Sequence, residues 1–239
     1  MPHGDVVVSL RSVSRDYRGL RPLRIEQLDL RQGETLALLG FDRAAAEVLV
    51  DLITAASLPD SGDVDIFGGP TRAIADPATW LRELDHFGIL SERAVLLDQL
   101  TVEQNLALPF SLEIDDLGAT LRSDVRNLAG EVGIAEEELS TPVASCGPLQ
   151  RARIRLGKAL ALKPRVLLAE HPNALVPPAD LPTFAADIAR AVAARQMALL
   201  ALTADPTFAR AVAEQVLTLN PATGALAASS GWRSWFRRS

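Results

Sequence analysis

The chain has 239 residues, 48% of them hydrophobic and 23% charged, so it can bury a core sufficient for one or two compact domains. Its formal net charge of −6 argues against a nucleic-acid partner, because contacts with a phosphate backbone need an excess of Lys and Arg. The single cysteine, Cys146, excludes an intrachain disulfide and a cysteine-based zinc cluster.

Hydropathy gives no sign of a membrane span or of a leader. No stretch approaches the ~20 consecutive apolar residues that cross a bilayer. The first residues, MPHGDVVV, lack the charged-then-apolar pattern of a signal peptide. We therefore expect a cytoplasmic protein.

The first third of the chain has strand patterns. Apolar residues alternate or run continuously between polar turns at 6–13, 23–30, 34–39 and 63–67. Residues 34–53, ETLALLGFDRAAAEVLVDLI, predict a buried strand, a glycine turn and then an amphipathic helix. This order is typical of the frame that a P-loop uses to hold phosphate.

The rest of the chain changes from helical spacing back to an α/β alternation. Helical spacing extends from about residue 76 to residue 162, for example at 124–132 and 150–162. Two short apolar runs, at 166–169 and 197–203, then flank a helical segment at 184–195. That alternation predicts a parallel sheet covered by helices.

Several motifs resemble, in the right order, the nucleotide-binding subunits of ABC transporters. Tyr17 looks like the aromatic residue that stacks on adenine, and Gly40 matches the first glycine of the P-loop. LTVEQNLALPF at 100–110 is similar to the entry into the family's helical subdomain. RARIRLGKALALKPRVLLAEHP at 151–172 resembles the helix after the signature motif and the strand of the second phosphate-site motif.

The resemblance implies an α/β fold: a P-loop NTPase (RecA-like) core with an N-terminal antiparallel β-subdomain and an inserted helical subdomain. The core with its β-subdomain is expected at 1–87 and 163–230, and the helical (signature) subdomain at 88–162. Residues 231–239 form a basic aromatic tail that could meet a membrane interface or a partner, or simply be a loose terminus.

The phosphate-binding positions depart from the family pattern. Counted without gaps from Gly40, the last three P-loop places, normally Gly-Lys-Ser/Thr, fall on Ala45, Ala46 and Glu47. The cation is missing, and at ~4 Å and an effective dielectric of ~20 the carboxylate of Glu47 would oppose a phosphate by about 4 kcal/mol. We expect weak or absent ATP binding, and consider Arg43 either a substitute cation or an exposed surface arginine.

The other catalytic places are altered as well. By the resemblance, Glu92 replaces the glutamine that contacts magnesium, Glu170 the magnesium-binding aspartate, His171 the glutamate that activates water, and Ala204 the switch histidine. Glu170 would be the metal ligand only if Mg²⁺ binds, and a histidine can act as a base near neutral pH. Because phosphoryl transfer needs positioned charge, we predict a chain that does not hydrolyse ATP.

The signature motif keeps only a remnant, Gly147 and Gln150. In the family this motif lies at a helix N-terminus and serves ATP held by the opposite subunit; a plain turn and helix start is the equal alternative. His3 and His86 are expected in surface or core positions rather than at a metal, and Cys146 is expected as a small core residue.

Three functions stay open at this point. The first is a degenerate ABC subunit on the cytoplasmic face of the inner membrane, which pairs with a second cassette and couples a permease to transport, possibly of lipid or lipoprotein. The second is a divergent but active ATPase, and the third is a free-standing regulatory or scaffold protein. Under the first, Ala46→Lys with Glu47→Ser is expected to raise ATP affinity without restoring turnover.

Overall fold

A computed structural model of the chain describes residues 4–17 and 19–228. In chain order, the strands are β1 (Val6–Arg15), β2 (Leu23–Arg31), β3 (Thr35–Leu39), β4 (Ser61–Ile66), β5 (Gly69–Pro70), β6 (Phe87–Leu90), β7 (Val166–Glu170), β8 (Ala198–Leu202), β9 (Gln215–Leu219) and β10 (Leu226–Ala228). The α-helices are α1 (Arg43–Ile53), α2 (Pro77–Leu84), α3 (Val102–Ala107), α4 (Ala119–Glu131), α5 (Pro148–Leu160), α6 (Leu181–Arg195) and α7 (Pro206–Val212).

The N-terminal segments form an antiparallel four-stranded sheet in the order β2-β1-β4-β5. Its strands β1 and β2 alternate buried and exposed residues, so one face of the sheet packs on the core and the other meets solvent. The strand predictions at 6–13, 23–30 and 63–67 are confirmed.

The second sheet is the centre of the molecule. It has six strands in the order β10-β9-β3-β8-β7-β6, all parallel except β10. In β3, Leu36 and Leu38 point into one hydrophobic cluster with α1 and the N-terminal sheet, whereas Ala37 and Leu39 point into another with the helices. Because both faces of its central strands are covered, these strands read as continuous apolar runs.

The helical part of the chain lies between β6 and β7. Helices α3, α4 and α5 pack through Val102, Leu106, Val125, Leu128 and Ile154 onto the same cluster as one face of the parallel sheet. The fold class is therefore confirmed: an α/β P-loop NTPase-like fold with an added antiparallel sheet. The division of the chain at 87/88 and 162/163 stays a prediction.

One local feature differs from the sequence predictions. The stretch of helical spacing contains a strand, β6, which pairs in parallel with β7 through Phe87↔Val166 and Leu90↔Ala169. Four residues are too short to establish a period, so tertiary pairing decides the conformation.

Among the described residues, none of the helices is both long enough and apolar enough to cross a membrane. His3 and the tail at 231–239 lie outside the described residues.

Candidate functional site

Several of the sequence-predicted site residues lie where the parallel strands end. Gly40 follows β3, Glu170 is the last residue of β7, and Glu92 comes two residues after β6. The carboxyl ends of parallel strands meet at one edge of a sheet, which is where ligands bind in open α/β folds. Gly40 has a φ of +91°, and a Cβ there would lie 3.1 Å from the Leu219 carbonyl oxygen.

Helix α1 begins early, at residues that would still belong to the loop in a phosphate-binding site. It begins at Arg43 with Asp42 as N-cap, whose Oδ1 accepts from the Ala45 N–H at 2.7 Å. The Ala46 N–H donates to the Asp42 carbonyl at 2.9 Å. These amide groups therefore serve the helix rather than a ligand, since an N-cap and three alanines favour early helix formation.

The position of the missing lysine lies in the core. Ala46 is 1% exposed and packs in the hydrophobic cluster with Leu49 and Val50. A lysine at 46 would bring an ammonium into that cluster, which is costly without a partner. The double replacement Ala46→Lys with Glu47→Ser would therefore also lower the stability of the chain, and its expected effect on ATP affinity stays a prediction.

An arginine that the sequence reasoning did not single out occupies the centre of the site. Arg93 Nη1 donates to Glu47 Oε1 at 2.6 Å, Nη2 to Glu170 Oε1 at 2.5 Å and Nε to Glu170 Oε2 at 3.2 Å. The contact with Glu170 has the two-pronged geometry that suits a guanidinium and a carboxylate. In the chain without ligand, Arg93 therefore neutralises the charge of Glu47, and the expected repulsion between Glu47 and a phosphate stays a prediction.

A second ion pair lies beside the first. Arg43 Nη1 donates to Glu92 Oε1, and the two side chains are 68% and 49% exposed. Arg43 is thus an exposed surface arginine, as in the second of the two alternatives, and it is paired with Glu92. The two ion-pair groups line a cavity of about 260 Å³, whose lining residues are Arg43, Glu47, Glu92, Arg93, Glu170 and His171.

The charges of this cavity nearly cancel. Three carboxylates face two guanidinium groups, so with a neutral histidine the lining carries one net negative charge. Burial lowers the pKa of Arg93, but hydrogen bonds and charge from Glu170, with the charges of Glu47 and Asp51, outweigh that effect and raise it. Arg93 is therefore held as a cation and is paired with two carboxylates of its own chain.

His171 lies against the same cavity in a strained conformation. Its φ is +43°, in the left-handed region that few non-glycine residues adopt. Its backbone N–H donates to the Leu202 carbonyl at 2.7 Å. Its Nε2 is buried and has no hydrogen-bond partner among the described residues. The side chain therefore keeps a proton-accepting or proton-donating atom that no internal contact uses.

The position of the switch histidine takes no part in the site. Ala204 is exposed. Its neighbour Thr203 is fully buried and donates from Oγ1 to Asn173 Oδ1 at 2.7 Å, which links the ends of β8 and β7. At this point the loop after β8 is thus linked to the segment after β7 by a neutral hydrogen bond.

The signature remnant lies away from the cavity, at the start of α5. Gly147 is the N-cap of α5, and Gln150 Nε2 donates to Glu138 Oε1 at 3.0 Å. Cys146 is buried, and burial raises the pKa of its thiol in spite of the nearby Arg151. His86 packs edge-on against Phe67 with ring centroids 5.1 Å apart.

Tyr17 lies in a second depression beside the first. With Gly40, Asp42, Ala45 and Leu219 it lines a cavity of about 530 Å³. Burial and the charge of Asp42 raise the pKa of the Tyr17 phenol. The structure therefore brings Tyr17, Gly40 and Ala45 together as expected, next to the ion-paired cavity.

No group of three or more His, Cys, Asp and Glu suited to a metal is present in the described part of the chain.

The sequence of the chain is similar to those of known proteins. The ABC transporter family pattern matches residues 23–174. The phosphonates import ATP-binding protein PhnC of Anaeromyxobacter dehalogenans is 31% identical over 212 residues, which are 84% of this chain and 42% of that protein. The lipoprotein-releasing system ATP-binding protein LolD of Paramagnetospirillum magneticum is 30% identical over 200 residues, which are 83% of this chain and 87% of that protein.

Solved structures show the same fold. A bacterial ABC transporter cassette solved as a dimer superposes with a TM-score of 0.72 at 19% identity, over 89% of this chain and 94% of that one. A post-hydrolysis form of the same cassette, bound to ADP and Pi, gives a TM-score of 0.73 at 18% identity, over 94% of this chain and 100% of that one.

Proposed function

The chain belongs to the ABC transporter family, and we propose that within it the chain is a non-hydrolytic cassette subunit that couples a membrane permease to transport. The observation that carries this proposal is the pair of carboxylates, Glu47 and Glu170, bound to Arg93 inside the nucleotide-site remnant. Magnesium-nucleotide would have to displace that arginine and then meet the two carboxylates it neutralises.

The start of α1 supports the same conclusion. A phosphate loop offers free backbone N–H groups, whereas here residues 43–46 are helical and Asp42 occupies the end of the helix. The Asp42 carboxylate also places a negative charge where the helix dipole would otherwise favour phosphate. ATP is therefore bound and hydrolysed elsewhere, in a partner cassette.

The partners follow from the family. We place the chain at the cytoplasmic face of the inner membrane, in a dimer with a second cassette, on a permease. The name of PhnC refers to phosphonate import, and the name of LolD refers to lipoprotein release. The chain spans about two fifths of the length of PhnC and most of LolD. For the transported substrate we propose a lipid or lipoprotein, as for LolD.

A nucleotide titration tests the proposal. Magnesium with a fluorescent ATP analogue is titrated into the purified chain, and phosphate release is followed under the same conditions. We expect no saturable binding of the analogue below about 1 mM, which means a binding free energy weaker than ~4 kcal/mol. We also expect no phosphate release above the rate measured without protein. The matched control is Arg72→Gln, which removes an exposed arginine paired with Asp63 and should change nothing.

Saturable binding in the micromolar range, lost in Glu170→Ala, would instead support a second candidate, a divergent ATPase. The observation that favours this candidate is the buried Nε2 of His171, which lines the cavity without a hydrogen-bond partner among the described residues. In such an enzyme His171 would act as the general base.

A third candidate, a scaffold protein without a transporter, is tested by isolation of the chain from its native membrane. Co-purification of a permease and an intact cassette would exclude the scaffold. A monodisperse monomer that captures neither would contradict the coupling role.

A further inference from the structure

The loop between β6 and α3, residues 91–101, joins the parallel sheet to the helical part of the chain; we refer to it as the connecting loop. On the sheet side it is held by side chains at its start. Arg93 binds Glu47 of α1 and Glu170 of β7, and Glu92 binds Arg43 of α1. One short segment is thus fixed to two elements of the core.

On the other side, the same loop is held by α5. Arg155 Nε donates to the Ala94 carbonyl at 3.1 Å, and Lys158 Nζ donates to the Val95 carbonyl at 2.8 Å. Arg151 pairs with Asp98 of the loop at 2.8 Å. These contacts continue the ion pairs of the core into the helical part.

Helix α3 closes the far end of the loop. The Leu97 N–H donates to Asn105 Oδ1 at 2.9 Å, and Asn105 Nδ2 donates back to the Leu97 carbonyl at 3.0 Å. Asn105 is fully buried, so both of these bonds are shielded from water. The loop is therefore connected from α1 and β7 at one end to α3 and α5 at the other.

We propose that Arg93 is a built-in counter-ion that holds the connecting loop against the nucleotide-site remnant, so that the core and the helical part stay coupled with no ligand bound. The coupling needs a charge that is both central and shielded. The side chain of Arg93 is itself 44% exposed, but its partner Glu170 has only 9% of its side chain exposed, so their contact is the more shielded one. The Arg43–Glu92 pair is more exposed and contributes less.

This inference goes beyond the proposed coupling function, because it assigns a ligand-independent conformational role to a residue of the chain. Its test is carried out without nucleotide, so it can fail while the proposed function stands. Conversely, ATP binding in the titration would overturn the proposed function and leave the coupling in the free chain unaffected.

The test is hydrogen exchange measured by mass spectrometry on the full chain without nucleotide. In Arg93→Gln, we expect amide exchange across residues 92–98 to be at least tenfold faster than in the parent chain, while β3 and β8 exchange at parental rates. Arg72→Gln serves as the matched control, because its partner Asp63 lies in the N-terminal sheet away from the loop. It should leave exchange in the connecting loop unchanged.

A second variant covers the case in which Arg93→Gln does not fold. Glu47→Gln removes one half-exposed partner and keeps the contact of Arg93 with Glu170. We expect exchange of residues 92–98 to accelerate about threefold. Loop exchange within 1.5-fold of the parent in Glu47→Gln, or within twofold in a folded Arg93→Gln, would overturn the proposal.

Discussion

At the scale of single residues, the charge of Arg93 acts on three carboxylates: Glu47 and Glu170, which it binds, and Asp51. Glu47 and Asp51 stand four residues apart on α1, so they lie on the same face of the helix. Burial raises the pKa of Asp51, the charge of Arg93 partly offsets this, and the charge of Glu47 adds to the rise. Asp51 is therefore a carboxylate whose ionised form the fold disfavours.

Asp51→Asn is expected to stabilise the chain at neutral pH. The folded-state pKa of Asp51 lies above its ordinary value of 3.8, so the folded chain binds the proton more tightly and stability falls as pH rises through that interval. The asparagine variant removes this loss. Because the side chain is only half-buried and screened, we expect a gain below ~1 kcal/mol. Urea unfolding at pH 7.5 and at pH 4 measures it.

The gain should shrink as the pH falls through the raised folded-state pKa toward 3.8, because the folded chain then holds the proton on Asp51; below 3.8 Asp51 is protonated in both states. Asp85→Asn, at an exposed carboxylate that ends α2, is the control for the removal of one negative surface charge. An equal change in stability at both pH values for Asp51→Asn would show that shape rather than charge is responsible.

At the scale of elements, the start of α1 decides what the site can bind. Asp42 accepts from the Ala45 N–H, and three alanines follow as Ala44, Ala45 and Ala46. Alanine has the highest helix propensity, so the chain enters the helix immediately after the cap. The result is a short turn of Gly40, Phe41 and Asp42 between β3 and α1, with Phe41 buried in the core.

Asp42→Ala should lower the free energy of unfolding by about 1 kcal/mol, the usual cost of losing an N-cap. The matched comparison is Asp76→Ala, which removes the cap of α2, where Asp76 accepts from the Thr79 N–H at 2.9 Å. No residue of α2 is buried, so its fraying should affect global unfolding less. Urea midpoints of the two variants provide the measurement, and a larger loss in Asp76→Ala would be the contrary result.

The sequence allows the main elements to be predicted, but only part of the site. Strands β1 and β2 and helix α6 have patterns long enough to show their period. The early start of α1 had a signal, since Asp42 is a good N-cap before a run of alanines. The role of Arg93 had none, because its partners Glu47 and Glu170 lie 46 and 77 residues away and only the fold brings them together.

At the scale of the whole molecule, the helical part is joined to the core on two sides. Besides the connecting loop, Arg153 of α5 pairs with Asp187 of α6 at 2.7 Å, and Arg195 of α6 pairs with Glu131 of α4 at 2.6 Å. Asp187 is almost fully buried, so its pairing is strongly shielded. In addition, β6 lies in close contact with the end of α5 at Gly88.

Gly88→Ala should disrupt this contact. A Cβ at Gly88 would lie 2.3 Å from the Ala159 carbonyl oxygen and 3.1 Å from Pro164 Cγ, so β6 and α5 would have to separate. We expect a loss of about 3 kcal/mol, at the upper end for overpacking because the obstacle is backbone. Differential scanning calorimetry gives the change in stability.

The control is Gly69→Ala in β5, where the nearest atom to a new Cβ is the Ile66 carbonyl oxygen at 3.9 Å. That variant should unfold within ~0.5 kcal/mol of the parent chain. Equal losses in both variants would mean that the interface between α5 and β6 tolerates a wider spacing than the structure indicates.

The triangle of Glu47, Arg93 and Glu170 also bears on how these three positions tolerate replacement. Any one replacement that removes a charge leaves the charge of its neighbours without a partner, so the effects of replacements at the three positions should not add. A double-mutant cycle on Glu47 and Arg93 should therefore give an interaction energy different from zero.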